Sequence, residues 1–141
     1  MRGVIAELPS SSRNEVTILD MEASIEHLSR GTVRNVDTLL VVTEPYYRAL
    51  ETMGRTVPLA RGLGLPRVHA VANKVRSPRD EAAIREYSQR LGVAVAGVVP
   101  FDESVQDADR ENRSAIDYRP SAPAVRAIGA LVETLTREVA R

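Results

Sequence analysis

The 141-residue chain has no cysteine and no tryptophan, a single phenylalanine, and one lysine among its 19 basic residues. Without cysteine it forms no disulfide, offers no thiolate to zinc or to an iron-sulfur cluster, and runs no thiol chemistry. Charge of one sign is also missing, because 19 acidic residues balance the 19 basic ones. No global field draws in a polyanion, so neither nucleic acid nor a membrane surface is expected as a partner. Apolar runs such as Leu39 to Val42 fall far short of the roughly 20 residues that a membrane helix requires. The stretch Met1 to Leu8 has one basic residue and too short an apolar run for a secretory signal, which points to a cytoplasmic protein.

What is present is the composition of one globular domain, 43% hydrophobic and 27% charged. Runs rich in Val, Ile and Leu occur at Val16–Asp20, Thr38–Thr43, Val68–Asn73 and Val93–Val99. Their near-continuous apolarity suits strands covered on both faces of a parallel sheet. Between them lie helical stripes: Tyr46, Leu50, Met53, Val57 and Ala60, then Ile84, Tyr87 and Leu91. Pro58 predicts a kink or break in the first of these helices. Ser77-Pro78-Arg79-Asp80 is a helix start with a capping acid, and Gly92 is a helix stop. A last helix starts at Ser121 and Pro123 and predicts Val125, Ile128, Leu131, Val132, Leu135 and Val139 as its docking stripe. Strand, helix, strand in succession is an α/β fold, a parallel sheet flanked by helices.

Ligands of open α/β sheets bind beyond the carboxyl ends of the strands, which directs attention to residues 20–24, 43–45, 73–75 and 100–103. The first run ends in Asp20. An acid there is the Walker B arrangement, whose carboxylate holds the water shell of Mg²⁺ on a nucleotide; it is equally an ordinary turn cap. No grouping of His27, His69 and the carboxylates has metal-ligand spacing, and the serines sit in caps and loops rather than beside a base.

Downstream, Asp20-Met21-Glu22-Ala23-Ser24-Ile25-Glu26-His27 followed by Arg30-Gly31-Thr32 resembles the switch II region of CooC-type ATPases. These are relatives of MinD and of the nitrogenase iron protein that help insert nickel into carbon monoxide dehydrogenase. Ser24 stands where that family typically has Gly; it keeps the backbone amide but narrows the backbone freedom of a switch. Val71-Ala72-Asn73-Lys74-Val75 resembles the family's base-recognition motif, since the Asn amide offers a donor and an acceptor and the Lys stem packs along a ring. Gly97-Val98-Val99-Pro100-Phe101-Asp102 resembles the segment that wraps the adenine. Two plainer uses stay open: Phe101 as a core plug and Asp102 as a helix cap.

The resemblance runs from about Arg2 to the end and implies one partial P-loop NTPase domain over residues 1–141, with ATP or ADP and Mg²⁺ as cofactors. It implies that Asp20 is the catalytic acid and holds Mg²⁺ through water, and that Ser24 meets the γ-phosphate through its amide. Asn73, Lys74, Pro100, Phe101 and Asp102 would border the base. Yet Gly-x-x-x-x-Gly-Lys-Ser/Thr occurs nowhere in the sequence, so the Walker A cradle of phosphate-binding amides is absent. Gly54-Arg55-Thr56 lies within a helical stripe and lacks the earlier glycine. Nucleotide binding is therefore expected to be weak or absent without a partner, and the family's nickel-binding cysteine pair has no counterpart. A sheet lacking its P-loop strand has unpaired edges. They would be met by direct pairing of the remaining strands, by a second copy in a homodimer, or by a P-loop-bearing partner chain. In complete form the resemblance implies an ATP-dependent metallocentre maturation factor with a metalloenzyme client. The rival expectations are a non-catalytic interaction or regulatory module that keeps the fold, and a natural form longer than this chain.

Overall fold

A computed structural model of the chain describes residues 16–21 and 36–139. Three parallel strands, β1 (Leu39–Thr43), β2 (Val68–Val75) and β3 (Ala94–Pro100), form a sheet in the order β1-β2-β3. Helices α1 (Tyr47–Gly62) and α2 (Pro78–Arg90) make the crossovers, and α3 (Glu103–Arg110), α4 (Ala115–Tyr118) and α5 (Pro123–Val139) follow β3. Right-handed crossovers that step in one direction across a sheet deliver their helices to the same face. Accordingly Met53 and Val57 of α1, and Tyr87 of α2 with Leu91 just after it, pack with Val41, Ala70 and Val93. The neighbouring strand residues point the other way, so Val71 and Val99 pack with Ala124 and Leu131 of α5.

The face under α1 and α2 is closed. Met53, Val57 and Ile84 are fully buried, each removal of such a side chain from water being worth about 1.5–3 kcal/mol. The two helices approach closely at Gly54, where a Cβ would collide with the Tyr87 hydroxyl. At the far end of α2 the Arg61 guanidinium donates to the carbonyls of Leu91 and Gly92 at 2.8 and 2.7 Å. The Leu91 carbonyl, at the C-cap, is one that a helix C-terminus leaves without a partner. Gly92, at φ 65°, is the left-handed stop that the sequence predicts, and Ser77 and Asp80 form the predicted capping box at the start of α2.

Two expectations need correction and a third is narrowed. Helix α1 is continuous through Pro58, so of the expected kink or break the break does not occur; Met53 and Val57 before it and Ala60 after it are all fully buried, and tertiary packing outweighs the roughly 3 kcal/mol that an interior proline costs. The docking stripe of α5 is rotated: Ala124 and Leu131 are buried, whereas Ile128 and Val132 are 50% and 56% exposed. Gly97 explains the choice, since a Cβ there would come within 3.1 Å of Leu131 Cδ1, so α5 seats on the bare backbone of β3 through Leu131 and small residues. Finally, Val16–Asp20 is not a strand. It has the apolar composition of one, but a strand also needs a neighbouring edge for its backbone groups, and among the described residues this segment pairs with none of β1, β2 and β3. Val16 and Ile18 are 77% and 85% exposed.

Candidate functional site

The carboxyl ends of all three strands meet at one edge of the sheet. There the ladder between β2 and β3 breaks step between Ala72 and Val75, which is the irregularity of a β-bulge and re-aims the side chains that it carries. Asn73 and Lys74 are the residues set out of step, and Lys74 adopts φ 54°, a left-handed conformation uncommon for a residue with a Cβ. Its ammonium pairs with Glu44 at 2.7 Å, the residue directly after β1. Lys74 is thereby held over the strand ends, although as an exposed pair it contributes at most about 1 kcal/mol.

Pairing resumes at Val75 opposite Pro100, and the Phe101 amide donates to the Val75 carbonyl at 2.9 Å. In a parallel pair the residues that follow register partners lie side by side. Arg76 therefore meets Phe101, its guanidinium carbon 3.4 Å from the ring centroid, a cation–π stack. Phe101 is half-buried at the sheet edge, not a core plug.

Asp102 takes the capping role. Its carboxylate accepts from the Ser104 amide at 3.0 Å, the Ser104 hydroxyl at 2.6 Å and the Ala124 amide at 3.1 Å, so it ties the first turns of α3 and α5 together. These donors, the Ser104 hydroxyl foremost and then the Ala124 amide, hold its carboxyl below the ordinary carboxylate range. Beside it opens a shallow cleft of about 650 Å³, lined by Phe101, Asp102, Ser104, Tyr118, Arg119 and Pro123 among others.

The structure thus brings together Asn73, Lys74, Pro100, Phe101 and Asp102. Asp20 is exposed and apart from them: its neighbour Met21 packs against Ala60 and Leu65, the same cluster that Leu39 and Val68 cover, where β1 and β2 begin rather than end. Ser24 lies outside the described residues. Among the described residues no group of three or more His, Asp or Glu is placed to hold a metal. Two participants have no counterpart among the sequence-derived site residues. Glu44 falls in the inspected 43–45 segment but has no motif of its own, and Arg76 gains meaning only from the Val75–Pro100 register.

The fold matches solved structures of nucleotide-binding ATPases. MinD of Pyrococcus furiosus superposes with a TM-score of 0.62 at 24% identity, covering 77% of this chain and 46% of that one. A ParA family ATPase from Chlorobium tepidum gives 0.63 at 20% identity, covering 79% and 46%. The parallel sheet flanked by helices is that of a MinD/ParA-type P-loop NTPase fold.

Sequence similarity narrows the class. The chain is 39% identical over 111 residues to the carbon monoxide dehydrogenase accessory protein CooC of Rhodospirillum rubrum, covering 79% of this chain and 41% of the relative. It is 44% identical over 93 residues to an uncharacterised ATP-binding protein of Methanocaldococcus jannaschii, covering 66% and 36%. It belongs to the CooC/MinD-type P-loop ATPases and corresponds to part of their domain, spanning about two fifths of the length of these curated relatives. No protein-family model matches the chain. Among the described residues, no helix is long and apolar enough to cross a membrane.

Proposed function

We propose that the chain supplies the base-binding and switch portion of a CooC/MinD-like ATPase, which when complete is an ATP-dependent maturation factor for a metallocentre such as that of carbon monoxide dehydrogenase. The observation that carries the reading is the gathering of Asn73, Lys74, Pro100, Phe101 and Asp102 at one sheet edge, in a chain 39% identical to a carbon monoxide dehydrogenase accessory protein. Asn73 offers the donor and acceptor that an adenine edge requires. Lys74 and the Arg76–Phe101 stack offer flat, cationic surface to a ring, and Asp102 fixes the loop that presents them. On this reading the setting is the cytoplasm, and assembly runs through a homodimer or a P-loop-bearing partner.

The residues present fit the base end of a nucleotide and not its phosphate end. The sequence contains no phosphate loop, and Asp20 is exposed and away from the strand ends, so this chain alone performs no step of hydrolysis. In the assembled protein, Asp20 would hold Mg²⁺ through water and the Ser24 amide would meet the γ-phosphate. A non-catalytic interaction module is the second reading, favoured by the fact that Lys74 and Phe101 already have protein partners in Glu44 and Arg76.

Isothermal titration of the chain with Mg-ATP and Mg-ADP, with light scattering on the same samples, separates the two. The ATPase reading expects weak, saturable binding that Asn73→Ala lowers about fivefold, the equivalent of one net hydrogen bond of about 1 kcal/mol. An unchanged affinity removes Asn73 from the site. The module reading expects no nucleotide effect on assembly and intact partner binding by Asp20→Asn.

A further inference from the structure

Lys74 is the only lysine of the chain and, among the described residues, one of two other than glycine with positive φ. Its φ of 54° is a sparsely populated conformation for a residue with a Cβ, and it persists only where the surroundings hold it. Neither flank supplies the hold. The ladder to β3 loses step between Ala72 and Val75, and the capping acid of α2, Asp80, reaches back to the amides of Ser77 and Arg76 and no further. The hold comes from the other side of β2. Thr43 is the register partner of Ala72, so Glu44 and Asn73 follow side by side, and the Glu44 carboxylate takes the Lys74 ammonium at 2.7 Å. Thr43 is buried, which anchors the backbone that carries Glu44. The Glu44 side chain is 30% exposed against 56% for that of Lys74, so the acid is the fixed member of the pair and the lysine the one that is held.

We infer that Glu44 is a positioning residue of the base site, acting on a bound base through Lys74 rather than by touching it. A free lysine stem samples many rotamers, and a ligand that packs along it must first arrest them. The Glu44–Lys74 pair arrests them in advance. It stretches the aliphatic stem between the ends of two strands, as an apolar strip that the face of a purine can cover, and it steadies the bulge from which Asn73 projects. The inference rests on the reading of Asn73 and Lys74 as base-binding residues given above. It also has a definite sign. A pair that shut the site would release it when broken, whereas a pair that prepares the site weakens binding when broken.

The test exploits the single lysine. Lysine-selective isotope labelling of the 141-residue chain gives one side-chain signal in the NMR spectrum, and adenosine probes the base site without phosphates. The Lys74 signal is expected to be that of an ordered side chain, to shift saturably with adenosine, and to become mobile in Glu44→Gln. Glu44→Gln should lower adenosine affinity about threefold, within what an exposed ion pair supports, and Glu44→Asp, which keeps the charge, should recover most of the loss. In a Lys74→Met background the change at Glu44 should have no effect, because residues that act as a pair are not additive. Adenosine is uncharged, so salt bears on its affinity through charges of the protein. Going from about 0.1 to about 1 M salt, which shortens the screening length from roughly 10 Å to roughly 3 Å, should shrink the advantage of the unaltered chain over Glu44→Gln. A Lys74 signal equally mobile with and without Glu44, an affinity unchanged or raised by Glu44→Gln, or a loss that persists in Lys74→Met overturns the inference. An ordered Lys74 that Glu44→Gln sets free, with no response to adenosine, leaves the hold on Lys74 standing and defeats the base-site reading instead.

Discussion

The two faces of the sheet are finished to different degrees. Beneath α1 and α2, Met53, Val57 and Ile84 are fully buried and the helices are fastened by caps at both ends of α2. On the side of α5, Val42, Ile128 and Val132 are exposed, and among the described residues the outer edge of β1 pairs with nothing. Stability and association therefore draw on different residues. The closed face holds the chain together, and the exposed side chains on the side of α5 add little to that.

The comparison predicts a graded series of mutational costs. Met53→Ala is expected to lower unfolding free energy by about 2–5 kcal/mol, the range for deleting a buried large side chain, read from the urea midpoint. Asp102→Ala should cost about 0.5–2 kcal/mol as an N-cap loss, releasing α5 rather than α2. That contribution carries a pH signature. A carboxyl held below its ordinary range stabilises the folded state fully above the unfolded value near pH 4 and ceases to do so as pH falls through its lower folded value. Asp102→Asn should therefore flatten the acid limb of a stability-against-pH curve.

Arg61→Ala, which frees the Leu91 and Gly92 carbonyls on the closed face, should cost about 0.5–1.5 kcal/mol, measurable as a lower thermal midpoint. Val132→Ser should change stability by less than about 0.5 kcal/mol. If Val132→Ser proves as damaging as Met53→Ala, the open face is part of the folding core and the contrast collapses.

Much of the closed face was legible in the sequence because local rules decide it. Apolar spacing located Met53, Val57 and Ile84, and a capping box and a glycine marked the ends of α2. The open face was misread for an equally physical reason. Hydrophobicity identified Val16–Asp20, Ile128 and Val132 as apolar but carries no information on whether a partner surface exists. At the site, residues 73, 74 and 100–102 lie at the carboxyl ends of the neighbouring strands β2 and β3. Lys74's partner Glu44 and Phe101's neighbour Arg76 depend instead on strand register, which no single segment encodes. Asp102 had two readings open, and its three accepted hydrogen bonds give it the cap.

The close approach of α1 and α2 at Gly54 makes the identities of two distant positions one shared quantity. Because the Tyr87 hydroxyl occupies the space of the missing Cβ, a side chain at position 54 requires the residue at position 87 to move or to shrink. Among related chains, the two should drift as a reciprocal pair rather than separately: Gly54→Ala alone displaces the Tyr87 hydroxyl, and Gly54→Ala with Tyr87→Phe removes the conflict.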